Sequence, residues 1–210
     1  TFLGLKPGLL TADGPDYAGE LHLDTLAFDP ALLPAMPGSA LTQLENRHRL
    51  PARLRNSHKG TYGHVGLIGG AAGMVGACLI AGRGALRQGA GSVTLGTLDE
   101  RVVVDYLDPR LMFAAPESLL DARLSVLAIG PGLGQSTRAH ALLQAALAAP
   151  CPLLLDADAL NLLASDPELA QQTARRSHPT LLTPHPGEAA RLLGASVAEI
   201  QANRIGAARK

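Results

Sequence analysis

The chain has 210 residues, of which 47% are hydrophobic and 17% charged, so it can bury a substantial core and should fold. Its 18 Lys and Arg residues balance 18 Asp and Glu, which gives no general attraction to nucleic acid or an acidic membrane. Aromatic residues make up only 3%, and Cys78 and Cys151 are too few for a disulfide framework or a zinc site. No apolar run is long enough to span a membrane. We therefore expect a cytoplasmic protein whose partners include neither nucleic acid nor membrane.

The first 57 residues show little regular patterning. A turn is predicted at Gly14–Gly19, and the alternation of Glu20–Asp24 is typical of a short strand. Prolines and basic residues between about residues 28 and 58 indicate a linker or an ordered surface crossing between domains. The chain starts at Thr1 rather than Met, and residues 200–210 stop inside an apparently helical stretch, so we expect a piece of a longer protein.

From His58 onward, predicted strands and helices alternate. The strands are Val65–Ile68, Ser92–Gly96, Leu124–Ile129, Leu153–Leu155 and Thr180–Leu182. The helices are Gly76–Gly89, Ser136–Ala149, one that starts at Ala159, and Ala189–Leu193. This alternation with short links predicts an α/β fold, in which a mostly parallel sheet has helices on both faces.

Two glycine-rich turns follow predicted strands, Gly69-Gly-Ala-Ala-Gly-Met-Val-Gly76 and Gly130-Pro-Gly-Leu-Gly134. Glycine lets the backbone approach a ligand, and the helix after each turn offers free N–H groups to an anion. Neither turn has a Walker or Gly-x-Gly-x-x-Gly pattern. A tight structural turn therefore explains the first equally well, and a rigid loop with a capped helix explains the second better when it is taken alone.

Acidic residues and a histidine follow two further strands. Asp156 and Asp158, two apart on an extended segment, share a face and could organise Mg²⁺ and phosphate or act as a base. Asp158 could instead be a helix N-cap, with Asp156 bonded to backbone amides; we expect capping by Asp158 and chemistry by Asp156. His185 stands between two prolines that fix its direction, and Glu188 suits the first turn of a helix. A structural role explains Glu188 well and His185 poorly.

Six motifs stand in a fixed order, which is Lys59-Gly-Thr-Tyr-Gly63, Gly69-Gly…Gly76-Ala77, Ala85-Leu-Arg-Gln-Gly-Ala-Gly91, Gly130-Pro-Gly-Leu-Gly134, Asp156-Ala-Asp-Ala-Leu-Asn161 and Thr183-Pro-His-Pro-Gly-Glu188. Together they closely resemble the ADP/ATP-dependent NAD(P)H-hydrate dehydratases, ribokinase-like proteins that repair hydrated nicotinamide cofactors. The resemblance implies that residues 58–210 are the N-terminal portion of such a domain, with a ribokinase-like sheet truncated at its C-terminus. Residues 1–28 resemble the tail of an NAD(P)H-hydrate epimerase domain, and residues 29–57 would be the linker.

The resemblance also implies an activity, a lyase in a bifunctional enzyme that additionally epimerises NAD(P)H hydrate. ADP or ATP, with Mg²⁺, would phosphorylate the C6 hydroxyl of the S hydrate, and loss of phosphate would regenerate NAD(P)H. A homo-oligomer is expected. The residues carried over for the hydrated cofactor are Ala77, Gly132, Gly134 and His185. Those expected around the phosphates and Mg²⁺ are Asp156, Asn161 and Glu188, and none is assigned as a metal ligand.

The sequence departs from the family after Glu188, where two family segments, a Gly-Ser-Gly-Asp motif and a later Lys-Gly stretch, are missing. Family members carry a Gly-Ser-Gly-Asp motif whose aspartate is the base, and no such motif follows Glu188. We therefore expect the catalytic aspartate to lie beyond Lys210 and this chain to be inactive alone. Two alternatives stay open, a vitamin- or thiazole-type small-molecule kinase of the same fold and a non-catalytic nucleotide-binding module. His185 and the epimerase-like start favour the dehydratase.

Overall fold

The computed structural model describes residues 1–27, 29 and 52–210, which form two compact units. One unit is Leu54–Val197, and the other consists of Thr1–Arg53 and Ala198–Lys210. The linker expected at 29–57 lies largely outside the described residues, so the domain boundaries stay predictions. Within the described part of the chain, no helix has the length and hydropathy needed to cross a membrane.

A six-stranded, wholly parallel sheet forms the centre of the larger unit. Its strands are β1 (His64–Gly69), β2 (Ser92–Thr97), β3 (Met112–Phe113), β4 (Val126–Ile129), β5 (Leu153–Leu155) and β6 (Thr180–Leu182). Their spatial order is β3-β2-β1-β4-β5-β6, so the chain builds outward from β1 on one side and then on the other. The connections after β1 and β4 therefore run toward opposite sides of the sheet, and ligands of open parallel sheets bind at the strand ends where this change of direction occurs.

Helices follow most of the strands. Those in the described residues are α1 (Gly14–Tyr17), α2 (Val75–Arg87), α3 (Thr137–Leu147), α4 (Asp158–Ser165), α5 (Pro167–Ala174), α6 (Pro186–Leu193), α7 (Val197–Ala202) and α8 (Arg204–Ala208). Short 3₁₀ turns lie at Pro7–Leu9, Lys59–Tyr62 and Pro116–Leu119. In the larger unit, α2 packs on β1 and β2, α3 on β4, and α4 on both α5 and α6.

Both faces of the central strands are covered, because successive residues of one strand enter different cores. In β1, Leu67 belongs to a small core with Cys78 of α2, whereas Ile68 belongs to a larger core with Leu143 of α3. None of these four side chains is more than 3% exposed. Alternate residues of a strand point to opposite faces, so burial on both sides requires the near-continuous apolar runs seen in the sequence. The predicted fold class is confirmed.

The structure corrects the prediction at the two ends of the chain. The strand expected at Glu20–Asp24 is wrong, since Asp24 makes only an isolated parallel bridge to Phe2 and Leu23 is exposed. Its alternation has no sheet face to bury. The C-terminal helical stretch is interrupted at Asn203, whose side chain accepts a hydrogen bond from Gly206 N and begins α8. The short elements β3 and α5 were not predicted.

Truncating a side chain in the middle of the sheet should destabilise the chain strongly. Leu127 in β4 is fully buried, so Leu127→Ala should lower the free energy of unfolding by about 2–5 kcal/mol through lost burial and a residual cavity. Leu181→Ala in β6 removes the same atoms from a side chain that is 59% exposed, and should change it by less than about 0.5 kcal/mol. Urea denaturation measures both, and equal losses would contradict the burial assigned to β4.

Candidate functional site

The motif turns meet at the carboxyl ends of four neighbouring strands, β1, β4, β5 and β6. All pairings between these strands are parallel, so the residues that follow each strand lie along one edge of the sheet. The turns after β1 and β4 lie where the chain changes direction across the sheet. Ligands of open parallel sheets bind at this place. The four turns therefore share one edge of the sheet.

The turn after β1 lies against the turn after β4, and backbone atoms make the contact. Gly70 N donates to Pro131 O at 3.0 Å, and Ala71 N donates to Gly132 O at 2.6 Å. Gly132 has a φ of 62°, and a Cβ on it would overlap the carbonyl oxygen of Met74. Only glycine fits this position without strain, so these two turns have at least the structural role that the sequence left open.

The turn after β4 also packs against the end of β5. Gly130 has a φ of 133°, and a Cβ on it would overlap the carbonyl oxygen of Asp156. Asp156 N donates to Ile129 O at 3.2 Å. At the far end of the turn, Gly134 N donates to Asp158 Oδ2 at 2.8 Å. The turn Gly130–Gly134 is therefore held from two sides, by the turns that follow β1 and β5.

Asp156 and Asp158 face different neighbours, so the expectation that they share a face is wrong. Ala157 between them has a φ of 49° and a ψ of −115°, which ends the alternation of the strand. Asp156 Oδ1 accepts a hydrogen bond from Thr183 Oγ1, which follows β6, at 2.8 Å. The expected capping by Asp158 is also wrong, because Ala157 is the N-cap of α4 and no side chain caps that end. The Asp158 carboxylate bonds Gly134 instead.

His185 and Glu188 form a reciprocal cap at the start of α6. His185 Nδ1 accepts a hydrogen bond from Gly187 N at 2.9 Å, and Glu188 Oε2 accepts one from His185 N at 2.9 Å. Glu188 Oε1 lies 3.1 Å from His185 Nε2, so a neutral ring carries its proton on Nε2 and both nitrogens are engaged. The Glu188 side chain is 6% exposed and the ring 62%. The ring thus has a structural role, as the N-cap, that the sequence interpretation did not foresee.

The two remaining predicted residues lie on helices. Ala77 is exposed in the first turn of α2, and its N–H donates to Met74 O at 3.2 Å, next to the turn after β4. Asn161 lies inside α4, where its Oδ1 accepts a hydrogen bond from Arg191 Nη1 of α6 at 2.9 Å. Asn161 therefore belongs to the contact between α4 and α6, and the structure does not join it by a contact to the glycine turns.

A buried carboxylate at the end of β2 was missed in the sequence. Asp99 N donates to Gly70 O at 3.1 Å, so Asp99 adjoins the turn after β1. Its carboxylate accepts hydrogen bonds from Arg101 Nε and Nη2 at 2.8 and 2.7 Å and from Arg101 N at 3.2 Å. The side-chain bonds first, and the backbone bond second, lower the pKa of Asp99 to about 2. The repeated Asp-x-Arg spacing, found again at Asp108 and Arg110, was the available signal.

The pKa of Asp99 should depend on its arginine partner. Because the folded-state pKa is depressed, the interaction is present above the pKa of an unfolded aspartate, about 4, and is lost as pH falls toward 2. A carboxyl titration by NMR should place the Asp99 midpoint at about 2, and Arg101→Met should move it upward. Arg87→Met, in the last turn of α2, should leave it unchanged. If Arg101→Met left the titration midpoint of Asp99 at its wild-type value, the pairing of Asp99 with Arg101 would be refuted.

Removing the ring of His185 should destabilise α6. His185→Ala deletes the acceptor for Gly187 N, and such N-cap losses lower the free energy of unfolding by about 0.5–2 kcal/mol. His185→Asn supplies another side-chain acceptor and should recover most of that loss. Thermal unfolding followed by circular dichroism compares the two variants. If His185→Ala melted like the unaltered chain, the cap would have no energetic weight.

Known proteins are similar to this chain over most of its length. A family model described as NAD(P)H-hydrate dehydratase matches residues 65–210. The bifunctional NAD(P)H-hydrate repair enzyme of Coxiella burnetii is 43% identical over 213 residues, which is 98% of this chain and 42% of that protein. The ADP-dependent (S)-NAD(P)H-hydrate dehydratase of Neisseria meningitidis is 40% identical over 176 residues, 80% of this chain and 58% of that protein. The chain thus spans roughly half the length of these curated relatives.

A solved structure shares the fold. It is the ADP/ATP-dependent NAD(P)H-hydrate dehydratase from Bacillus subtilis, co-crystallised with ATP and Mg²⁺. It matches with a TM-score of 0.57 and 38% sequence identity, over 74% of this chain and 56% of that one. The matched residues of the family model include every motif turn at the sheet edge. The chain belongs to the NAD(P)H-hydrate dehydratase family.

Proposed function

We propose that the complete protein dehydrates the S form of NAD(P)H hydrate with ADP or ATP as phosphoryl donor, and that this chain forms much of the site wall. The main support is the meeting of the motif turns at adjacent strand ends in a chain of the dehydratase family. Phosphorylation of the C6 hydroxyl converts a poor leaving group into a good one. The protein must then mainly position the two substrates and neutralise phosphate charge. The bifunctional relatives support an additional epimerase activity in the complete protein.

Four residues are proposed to contact the hydrated cofactor. Gly132 and Gly134 offer backbone atoms in the turn after β4. Ala77 presents only a methyl group at the exposed start of α2. The ring of His185 is largely exposed, although both its nitrogens are engaged within the cap. We infer that His185 contacts the cofactor through the face of its ring, whose direction the cap and the flanking prolines fix.

The roles proposed around the phosphates differ among the three residues. Asp156 is half-buried at the strand end, and its hydrogen bond from Thr183 Oγ1 fixes the direction of its carboxylate. Glu188 and Asn161 are bonded to His185 and Arg191, so they would act by orienting those side chains. No group of three His, Cys, Asp or Glu residues in the described ranges could hold a metal ion. We therefore propose a Mg²⁺ that is bound mainly through the nucleotide phosphates and neutralises their charge.

The remaining proposals concern the base, the assembly and the compartment. The Gly-Ser-Gly-Asp motif of the family does not occur in the 210 residues, so the base is proposed to lie outside them. Assembly into a homo-oligomer is proposed on the resemblance to the family alone. The two buried free thiols, Cys78 and Cys151, are consistent with a reducing cytoplasm.

The complete protein should convert hydrated NADH to NADH only when ADP or ATP and Mg²⁺ are present. The absorbance of NADH follows the reaction, and omission of the nucleotide is the control. Residues 1–210 alone should show no turnover, since absence of a general base removes roughly 10²–10⁴-fold of rate. Phosphorylation of a vitamin-type alcohol without any hydrate turnover would instead identify a kinase of the same fold. Turnover by residues 1–210 would place the base among them.

His185 can be tested for binding without disturbing the cap. In the complete protein, His185→Asn keeps a capping acceptor but removes the ring, so KM for the hydrate should rise about 5- to 30-fold while the melting temperature stays near that of wild type. His178→Asn makes the same replacement at an exposed position and should leave KM unchanged. An unchanged KM in His185→Asn would limit His185 to its structural role.

A further inference from the structure

We propose that Asp158 is a positioning residue, whose carboxylate holds the amide of Gly134 and so keeps the turn Gly130–Gly134 in its binding conformation. The inference rests on the proposed function, because that turn is expected to contact the hydrated cofactor. It assigns to Asp158 a role that differs from the helix cap expected from the sequence. Three features of the described residues carry it.

The first feature is the way in which the turn is held. Gly70 N and Ala71 N donate to carbonyl oxygens in the first half of the turn, so backbone atoms fix that half. The end of the turn is fixed differently, by the hydrogen bond of 2.8 Å from Gly134 N to Asp158 Oδ2. A hydrogen bond from an N–H to a carboxylate is stronger than one between neutral groups. Asp158 is therefore the side chain on which the order of the last glycine depends.

The second feature is the strained backbone beside Asp158. Ala157 has a φ of 49° and a ψ of −115°, a conformation that costs a residue with a Cβ on the order of 1–3 kcal/mol. This turn directs Asp156 toward Thr183 of the β6 end and Asp158 toward Gly134. The strained residue thus stands between the two aspartates that bond the ends of neighbouring strands.

The third feature is the cap that α4 lacks. An aspartate at the N-cap satisfies the first N–H groups of a helix, and the sequence has one available. The structure places Asp158 one position later, as the first residue of α4, and leaves the N-cap to Ala157 without any side-chain hydrogen bond. The helix thus forgoes a favourable cap while its nearest carboxylate bonds a turn of the proposed site. Loss of local stability at this point is the pattern expected of a functional constraint.

The consequence for binding follows from preorganisation. A turn that is already ordered loses less conformational entropy when a ligand binds, so affinity depends on the group that orders it. Loss of the Asp158 carboxylate should loosen Gly134 and weaken hydrate binding, whereas the later chemical step should change less. A residue with only a structural role would lower stability without this selective effect on KM.

The experiment compares three variants of the complete protein, numbered as in this sequence. Asp158→Ala should raise KM for the hydrate about 5- to 30-fold with a smaller change in kcat, and should speed amide hydrogen exchange in peptides that contain residues 130–134. Asp158→Asn keeps an acceptor oxygen and should restore most of both properties. Asp166→Ala is the matched control, because Asp166 also bonds backbone amides at a helix start, that of α5, and lies outside the site. It should lower the melting temperature and leave KM unchanged.

The outcomes separate the proposal from its alternatives. If Asp158→Ala behaves like Asp166→Ala, with a lower melting temperature but unchanged KM and exchange, Asp158 is structural only and the proposal is overturned. Failure of Asp158→Asn to restore either property overturns it as well. If the unaltered protein has no hydrate turnover, the proposed function fails. The hydrogen-exchange comparison then still decides whether Asp158 orders the turn.

Discussion

The close packing of the turn Gly130–Gly134 between its neighbours is the contact on which the candidate site depends. Neither Gly130 nor Gly132 has room for a Cβ, since it would overlap a carbonyl oxygen of the turn after β5 or of Met74 before α2. Backbone therefore meets backbone on both sides, and hydrogen bonds from Gly70 and Ala71 close one of these contacts. This arrangement is possible because β1, β4 and β5 are adjacent and parallel, so their ends reach one edge together.

Several residues at this edge combine a structural contact with the proposed binding role. His185 caps α6 while most of its ring stays exposed, and Glu188 is buried beneath it as the other half of the cap. Asp156 is aimed by Thr183, and Asp158 holds Gly134. Such side chains are fixed before a ligand arrives, which is what a site that works by positioning needs. The effects of mutations at this sheet edge on stability and on binding should therefore be measured separately.

The two cores explain how the same sheet can be rigid while its edge carries polar residues. The larger core lies under α3 and α4, and the smaller one lies under α2, so apolar side chains pack on both faces of β1 and β4. Carboxylates are absent from the six described strands and begin where the strands end, at Asp156 and, after β2, at Asp99. The Arg101 guanidinium keeps Asp99 ionised beside the turn after β1 by lowering its pKa. The charge of Asp99 is thus stabilised by a partner within the chain.

The sequence by itself determined five of the six strands of the described sheet, the parallel α/β fold and the glycine positions. Apolar runs that end in glycine or acid are local signals, and they require no knowledge of distant contacts. The order of the motifs also indicated the family to which the chain belongs. What the sequence could not decide was the direction of each side chain at the sheet edge. Alternation predicted a shared face for Asp156 and Asp158, but the left-handed φ of Ala157 turned them apart.

Only the tertiary structure decided which groups the polar residues bond. The cap formed by His185 is local, whereas the hold of Asp158 on Gly134 and the pairing of Asn161 with Arg191 depend on distances between segments. Two of these three contacts join residues more than twenty positions apart, and the free energy of such contacts comes from the packing of the sheet and helices. Sequence patterns report propensity and burial. Hydrogen-bond partners are selected only once the strand order has brought their backbones together.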